Sequence, residues 1–297
     1  MTSCSESLQP QPGGDALLRV AVLSLDMVEG DVSANLRRAR AMIDALPENT
    51  DVAVLPEMFT TSFMRDTDAM LSLADTAFRP TMEELALWSR ERNSAIAGSV
   101  VARDGDRMVN RGFIVFPDRK AVFYDKRHLF CLSPEARLLG AGKELPPVVN
   151  FRGWNLSMII CYDLRFPVWS RNVGQNTDLL IVPANWPRSR GYAWRQLLIA
   201  RAIENQEVVV GANRGGEDVY GVYDGLSLIV DPMGVTVAPP REDLAEDSPE
   251  PMTAGETVET DYGTILTARF SLAEVRRLRR RMPVGRDADS FLIHDAL

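Results

Sequence analysis

Short apolar runs recur along this chain, and many are separated by amphipathic helical patterns. Residues 18–25 (LRVAVLSL) and 51–55 (DVAVL) have the composition of buried strands. Between them, residues 33–46 have a helical period, with Ser33 as the expected N-terminal cap. Because helices that alternate with strands must cover the faces of a sheet, the pattern predicts a layered α/β domain.

Further along the chain, helix-separated strands give way to hairpins, which indicates mixed rather than purely parallel sheets. Thr81 and Glu84 have the spacing of a capping box, so we expect a helix from Thr81 to about Asn93. The other expected elements are strands at 95–102, 108–116, 121–125, 148–151, 155–160, 178–182, 207–212, 226–230, 235–238 and 262–270, and helices at 167–173, 191–206 and 271–281.

We expect one domain over residues 17–297. The chain has 297 residues, 45% of them hydrophobic and 25% charged, which is the composition of a globular protein. Residues 1–16 are polar and lack the basic start and apolar stretch of a signal peptide, so we expect a disordered arm. An acidic segment at about 240–261, with eight acidic residues and one basic, predicts a solvated surface insertion.

Composition also limits partners and compartment. The formal net charge of −8 argues against nucleic acid and anionic membranes as partners. No apolar run approaches the roughly 20 residues that span a bilayer. Three cysteines are too few for a disulfide framework in a chain of this length and indicate a reducing compartment, so we expect the cytoplasm. The scattered cysteines and two histidines offer no zinc-ligand spacing.

Cys161 is a candidate nucleophile. It follows an apolar run at the carboxyl end of a predicted strand, the edge at which α/β proteins bind ligands. The alternative is a buried packing cysteine. A thiol with an ordinary pKa of about 8.5 needs a base or a cation to react well at neutral pH.

Two residues are candidates for the base and one for the cation. His128 is the histidine candidate, because His294 lies in the C-terminal tail. Glu57 follows a strand and is flanked by Pro, Met and Phe. We expect these apolar neighbours to bury the acid in part, and burial raises a carboxyl pKa toward the range useful for proton transfer. Lys126 ends a strand-like run and could stabilise a thiolate or an oxyanion; a solubilising edge lysine is the alternative.

Taken in order, these residues lie in motifs that resemble those of the nitrilase superfamily of carbon–nitrogen hydrolases. The motifs are Leu-Pro-Glu57, Tyr-Asp-Lys126-Arg-His-Leu-Phe and Cys161-Tyr-Asp-Leu-Arg-Phe-Pro. Pro183-Ala-Asn-Trp-Pro187 and Gly211-Ala-Asn-Arg214 extend the resemblance, which runs from about Leu18 to Phe291.

The resemblance implies a Glu57–Lys126–Cys161 triad with Glu135 as the second glutamate of the family. It implies a four-layer α-β-β-α sandwich with two mixed sheets, a homodimer or higher homo-oligomer, and no metal or organic cofactor. The backbone N–H of Tyr162 is then expected to help Lys126 hold the oxyanion.

The sequence around Cys161 resembles that of the bacterial omega-amidase branch of the family, which acts on 2-oxoglutaramate and 2-oxosuccinamate. Such substrates carry a distal carboxylate, so a pocket cation is expected. The candidate cations are Arg165, Arg188 and Arg190, and the candidate aromatic walls are Phe63, Phe130 and Trp186. An internal ion pair for Arg165 and core packing for the aromatics are the alternatives. Deaminated-glutathione amidase, N-carbamoyl amino-acid amidohydrolase, nitrilase, a non-catalytic scaffold and a redox-sensing cysteine remain open as functions.

Overall fold

The computed structural model of the protein describes residues 15–64, 66–218, 220–238 and 250–293. The strands are β1 (Leu17–Leu25), β2 (Val52–Val54), β3 (Ala95–Asp104), β4 (Arg107–Val115), β5 (Val122–Asp125), β6 (Val148–Phe151), β7 (Trp154–Met158), β8 (Leu179–Ala184), β9 (Val208–Asn213), β10 (Gly215–Asp218), β11 (Gly221–Asp224), β12 (Leu228–Val230), β13 (Thr236–Ala238), β14 (Gly255–Thr260) and β15 (Gly263–Ser271). The helices are α1 (Val32–Asp44), α2 (Thr67–Thr76), α3 (Phe78–Arg92), α4 (Glu135–Leu138), α5 (Gly191–Asn205) and α6 (Leu272–Arg281).

Two large sheets form within the described residues. The first has the order β14-β15-β1-β2-β3-β4-β5, and its central β1, β2 and β3 run parallel. The second has the order β13-β12-β9-β8-β7-β6, with β7, β8 and β9 parallel. The outer strands of both sheets pair antiparallel. Strands β10 and β11 form a separate hairpin.

Strand β1 shows how the layers arise from the sequence. Successive side chains of a strand point to opposite faces of its sheet, and most residues of β1 are apolar on both faces. Val20 and Val22 pack in the core between the two sheets, whereas Leu23 and Leu25 pack against α1 and α3 on the outside. A strand that is apolar on both faces therefore requires one layer above it and another below it.

Helix α5 covers the outer face of the second sheet and comes close to its backbone. A Cβ added at Gly211 on β9 would lie 2.5 Å from Leu198 and 2.7 Å from Trp194, both on α5. Only a glycine permits this separation. Together with α1 and α3 on the first sheet, α5 completes a four-layer α-β-β-α sandwich, and the predicted fold class is confirmed.

Two helix starts differ from the prediction. Helix α1 is capped by Asp31, whose carboxylate accepts from the backbone N–H of Ala34 over 2.8 Å, so Ser33 lies inside the helix. Helix α3 begins at Phe78 rather than at Thr81, immediately after the unpredicted α2. The Thr81 hydroxyl is buried and finds no partner among the described residues, so it does not act as a cap.

The prediction of a helix at 167–173 is wrong. The segment contains turns between two short 3₁₀ helices, Cys161–Arg165 and Val173–Gln175. Pro167 disfavours helical backbone at Phe166, which adopts an extended conformation. This keeps the residues after Cys161 in a tight turn.

The acidic segment and the N-terminal arm are only partly as predicted. Residues 255–260 form the edge strand β14, paired with β15, so this part of the expected solvated loop is a strand. Residues 239–249 and 1–14 lie outside the described residues. The carbonyl of Ala16, within the predicted arm, accepts a hydrogen bond from the Trp154 indole over 2.9 Å, which anchors that residue. In the described part of the chain, no helix has the length and apolar character needed to cross a bilayer.

Candidate active site

Polar side chains that follow four strands meet at one edge of the sandwich. Glu57 follows β2 and Lys126 follows β5 in the first sheet, whereas Cys161 follows β7 and Asn185 follows β8 in the second. The two sheets face each other, so these strand ends converge on a common cavity. Glu57 is fully buried and Lys126 is 1% exposed, so neither charge is solvated by bulk water.

Lys126 lies between two carboxylates. Its Nζ donates to Glu57 Oε1 over 2.8 Å and to Glu135 Oε1 over 2.7 Å. The second oxygen of Glu135 accepts from the backbone N–H of Phe130 over 2.9 Å. Two charge-assisted hydrogen bonds fix the position of the ammonium group.

Lys126 and Glu135 both have shifted pKa values. Burial alone lowers the pKa of Lys126, but the charges of Glu135 and Glu57 outweigh it and hold the pKa well above its ordinary value. Burial, together with the charge of Glu57, raises the pKa of Glu135, and Lys126 offsets only part of that effect. Lys126 therefore remains an ammonium ion throughout the neutral range.

Glu57 is held on both carboxylate oxygens. In addition to Lys126, its Oε1 accepts from Asn110 Nδ2 over 2.7 Å. Its Oε2 accepts from the backbone N–H of Asn185 over 2.8 Å. The three donors come from β4, from the end of β5 and from the end of β8. Together they orient this carboxylate, which lines the cavity.

Cys161 occupies a strained position. Its φ of 46° lies in the left-handed region, which costs a non-glycine residue roughly 1–2 kcal/mol. The side chain is 8% exposed and lines the cavity. Burial, the charge of Glu57 and a hydrogen bond to Glu57 raise the pKa of the thiol well above its usual range, although Lys126 acts in the opposite direction. The resting group is thus a neutral thiol beside a carboxylate.

Asp163 stabilises the turn that carries Cys161. Its Oδ2 accepts from the Ile160 N–H over 3.1 Å and from the Tyr124 hydroxyl over 2.7 Å. Its Oδ1 accepts from the backbone N–H of His128 over 2.8 Å and contacts His128 Nδ1 at the same distance. The buried carboxylate thereby joins the turn that carries Cys161 to the β5 segment that precedes and follows Lys126.

His128 is not placed as a base for Cys161. Its ring contacts Asp163 through Nδ1 and stacks on Phe166 with ring centroids 3.7 Å apart. The residues that line the cavity in the described part of the chain do not include His128. The geometry therefore favours a carboxylate as the proton acceptor.

The cavity has a volume of about 210 Å³ and is bounded by most of the residues that the sequence suggested. Arg165 and Arg190 line it, but Arg188 does not, and its Nε lies 3.9 Å from Asp224 Oδ2. The residues that were predicted from the sequence and do line the cavity are Glu57, Phe63, Lys126, Phe130, Glu135, Cys161, Tyr162, Arg165, Trp186 and Arg190.

Arg165 and Arg190 are stacked on aromatic rings. The guanidinium of Arg165 lies 4.9 Å from the ring centroid of Trp186, and that of Arg190 lies 5.0 Å from the ring of Phe130. Neither pairs with a carboxylate of the described residues. Both cations therefore remain available to an anionic ligand at the exposed side of the cavity.

Sequence reasoning missed several residues of the site. Asn110 interrupts the apolar run of β4, and Asn185 follows β8 within the Pro-Ala-Asn-Trp-Pro motif. The rule that found Glu57, a polar side chain at the carboxyl end of a buried strand, also applies to Asn185. Tyr223, on the β10–β11 hairpin, lines the cavity from a segment for which no strands were predicted. In the described ranges, no three His, Cys, Asp or Glu side chains gather as metal ligands.

Comparison with known proteins gives consistent matches over most of the chain. The carbon–nitrogen hydrolase family model matches residues 19–280. The chain is 40% identical to an omega-amidase, YafV, of Yersinia enterocolitica over 93% of this chain and 98% of that protein. It is 35% identical to a 2-oxoglutaramate amidase of Bacillus subtilis over 74% and 85% of the two chains. A crystal structure of a CN-hydrolase superfamily protein from Xanthomonas campestris superposes with a TM-score of 0.80, at 31% identity, over 95% of this chain and 100% of that chain.

Proposed function

This chain belongs to the carbon–nitrogen hydrolase family, and from that premise we propose that it is an omega-amidase. It is a hydrolase of amide carbon–nitrogen bonds, and the resemblance to the nitrilase superfamily inferred from its motifs is confirmed. The proposed substrates are 2-oxoglutaramate and 2-oxosuccinamate, and the products are the 2-oxo dicarboxylic acid and ammonia. Relatives named omega-amidase and 2-oxoglutaramate amidase support this assignment.

One observation carries the proposal from the structure. A buried Glu57–Lys126–Cys161 cluster lines a small cavity, and two arginines without carboxylate partners among the described residues line the same cavity. The first feature suits attack on an amide. The second suits a substrate with a carboxylate remote from that amide, because arginine binds carboxylates with charge-assisted hydrogen bonds.

Acylation begins from the neutral thiol. Glu57 accepts the thiol proton while Cys161 Sγ attacks the amide carbon, and the carbonyl π electrons move onto oxygen. Lys126 Nζ and the backbone N–H of Tyr162 stabilise the resulting oxyanion; the loss of one such donor in other enzymes costs about 3 kcal/mol. Glu57 then delivers its proton to the amide nitrogen, the carbon–nitrogen bond breaks and ammonia leaves. A thioester to Cys161 remains.

Deacylation repeats the sequence with water as the nucleophile. Glu57 removes a proton from water, hydroxide adds to the thioester carbon, and the same donors hold the second oxyanion. The carbon–sulfur bond then breaks, the thiolate of Cys161 recovers the proton from Glu57, and the acid is released. Glu135 does not transfer a proton in this scheme; it positions Lys126 through its 2.7 Å hydrogen bond.

The cavity electrostatics favour an oxo acid over an amino acid. 2-Oxoglutaramate and glutamine share the reacting amide and the carboxylate, but glutamine has an ammonium group where the other has an oxo group. Lys126, Arg165 and Arg190 would repel that ammonium group, and its desolvation in the cavity is costly unless it is paired. An oxo oxygen has neither disadvantage.

The test compares kcat/KM for 2-oxoglutaramate with that for glutamine and for N-carbamoyl amino acids, by ammonia release. We expect 2-oxoglutaramate to be preferred by at least about 10-fold. A preference for glutamine or a carbamoyl compound would overturn the omega-amidase assignment. Ammonia release from none of the amides would leave a scaffold or a redox-sensing cysteine as the function.

Three arginine variants sharpen this test. Arg165→Met and Arg190→Met should raise KM for 2-oxoglutaramate but not for uncharged butyramide, because only the former presents a carboxylate. Arg188→Met is the matched control, since Arg188 lies outside the cavity lining. Equal effects of all three substitutions, or equal effects on both substrates, would remove the proposed carboxylate contacts.

Two wider features stay predictions under this proposal. We expect the protein to act in the cytoplasm. Cys131 and Cys161 are both free thiols, as a reducing compartment permits. We also expect a homodimer or a higher homo-oligomer.

A further inference from the structure

The side-chain amide of Asn185 is buried at the cavity without a hydrogen-bond partner. Both its Nδ2 and its Oδ1 are inaccessible to solvent and unpaired within the described residues. The residue is 8% exposed and lines the cavity together with Glu57 and Cys161. One donor group and one acceptor are therefore unused in a residue that lines the cavity.

The backbone around Asn185 is fixed independently of that side chain. The Asn185 N–H donates to Glu57, and the next residue is clamped by Asn213, whose Oδ1 accepts from the Trp186 N–H over 2.7 Å and whose Nδ2 donates to the Trp186 carbonyl over 2.8 Å. The Asn185 side chain makes no hydrogen bond that contributes to this arrangement. A structural role for the free amide is therefore not supported by its contacts.

Unpaired buried polar groups are rare in folded proteins because each forfeits its hydrogen bonds to water. A leucine of similar volume would avoid that penalty if the Asn185 side chain served packing alone. A ligand that supplies one acceptor and one donor would remove the penalty. A primary carboxamide has that combination, since its carbonyl accepts and its NH₂ group donates.

We propose that Asn185 pairs reciprocally with the carboxamide that is to be cleaved. As the substrate binds, the Asn185 amide group turns into the cavity; Nδ2 then donates to the carbonyl oxygen of the substrate, and Oδ1 accepts one N–H of its NH₂ group. The proposal rests on amide hydrolysis at Cys161 and deepens it, because it names the residue that selects a primary amide.

The pairing has two consequences for the reaction. Because the backbone N–H of Asn185 contacts Glu57 while its side chain holds the substrate, one residue sets the position of the amide nitrogen relative to the group that protonates it. An ester has no N–H and forms only one of the two hydrogen bonds. Asn185 is therefore a positioning residue whose removal affects an amide more than an ester of the same acyl group.

The experiment measures kcat/KM for a primary amide and for its methyl ester, which acylate Cys161 with the same group. Ammonia reports on the amide and methanol on the ester. In Asn185→Leu, an apolar residue of similar volume, the amide value should fall by about 10- to 100-fold and the ester value by clearly less, so that the amide-to-ester ratio falls several-fold or more. Asn185→Ser, whose hydroxyl is too short to form the pair, should shift the ratio in the same direction if the leucine variant does not fold.

Met70→Leu is the matched control, because Met70 lines the same cavity but contributes no hydrogen-bonding amide. It should change amide and ester turnover by equal factors. An unchanged amide-to-ester ratio in both Asn185 variants would overturn the proposal, whether the two rates fall together or stay constant.

The acyl group is taken from the best amide of a panel that contains 2-oxoglutaramate, succinamate, glutaramate and butyramide. If the enzyme ignores 2-oxoglutaramate but cleaves another member, the omega-amidase assignment fails and the role of Asn185 is still tested with that amide. If 2-oxoglutaramate is preferred and the ratio does not move, only the role of Asn185 fails.

Discussion

Glu57 is a tightly constrained side chain of the site. It accepts hydrogen bonds from Lys126, Asn110 and the backbone of Asn185, so its oxygens have little freedom to rotate. A carboxylate held in this way needs little reorganisation before it accepts a proton, and preorganisation of this kind lowers a reaction barrier. The competing base, His128, is already engaged by Asp163.

We therefore expect Glu57→Gln to lower kcat far more than His128→Gln. The glutamine retains the shape of Glu57 but cannot accept the thiol proton, and loss of a general base costs about 100-fold or more. His128→Gln should retain most activity, because the backbone N–H that contacts Asp163 is unchanged. Steady-state ammonia release from both purified variants decides between them, and the reverse ranking would replace the carboxylate mechanism with a Cys–His mechanism.

The protonation state of Cys161 gives a second prediction at this scale. Because burial and Glu57 raise the pKa of the thiol, Cys161 should contribute no thiolate absorbance at 240 nm between pH 6 and about 8.5. The measurement compares the Cys131→Ala protein with the Cys131→Ala/Cys161→Ala protein, so that the exposed Cys131 does not contribute. A thiolate signal near pH 6 that disappears with Cys161 would contradict a neutral resting nucleophile.

Residue types at strand ends were enough to identify part of this site from the sequence. Glu57 and Cys161 each follow a buried strand and Lys126 follows the edge strand β5, and these positions are visible in the chain itself. Asp163 and Asn110 were not identified, because their importance comes from contacts with residues distant in sequence. No local pattern distinguishes a buried carboxylate that orders a turn from a solvated one.

At the level of single elements, the helix caps illustrate how local signals compete. Asp31 and Ser33 are both good N-terminal caps, and Val32–Asp44 begins after Asp31 because its carboxylate reaches the Ala34 N–H. Sequence periodicity located the helix but could not choose between neighbouring caps. The choice is testable because the two residues lie two positions apart on an exposed surface.

Asp31→Ala should lower the free energy of unfolding by about 1 kcal/mol, the usual cost of a lost N-terminal cap. Ser33→Ala, inside the helix, should be neutral or slightly stabilising, since alanine favours helix more than serine. Urea denaturation of both variants measures the difference. Equal destabilisation, or a larger loss with Ser33→Ala, would contradict the capping geometry.

Strand β14 marks the limit of hydrophobic patterning. Its residues Gly255–Thr260 are mostly exposed and include Glu256 and Glu259, so the sequence predicts a solvated loop. The strand forms because β15 offers a free edge with which its backbone pairs. Strand formation of this kind depends on tertiary context rather than on the propensity of the segment.

At the scale of the whole molecule, one surface is unusually apolar for an exposed face. It surrounds a cavity of about 400 Å³ beside β6, an edge strand of the second sheet. Val148 lies on that edge strand and is 52% exposed. The exposed apolar side chains around the cavity are Leu145, Val148, Val168, Val173, Phe291, Leu292 and Ile293. Grouped exposure of this kind indicates a protein interface, whereas isolated apolar residues do not.

The expected homodimer should use this surface. A second copy that covers it would bury the apolar side chains around β6, and the two-fold axis would place each Val168 against the same surface of its partner. Val168→Glu puts a charge into that contact and should raise the dimer dissociation constant by about 100-fold or more, because an unpaired charge is costly to bury.

Leu87→Glu is the control, since Leu87 is exposed on α3, away from this surface. Sedimentation equilibrium should find wild type and Leu87→Glu as dimers and Val168→Glu shifted to monomers. A monomeric wild type would contradict the expected dimer, and a Val168→Glu protein that dimerises as tightly as wild type would place the interface on another face.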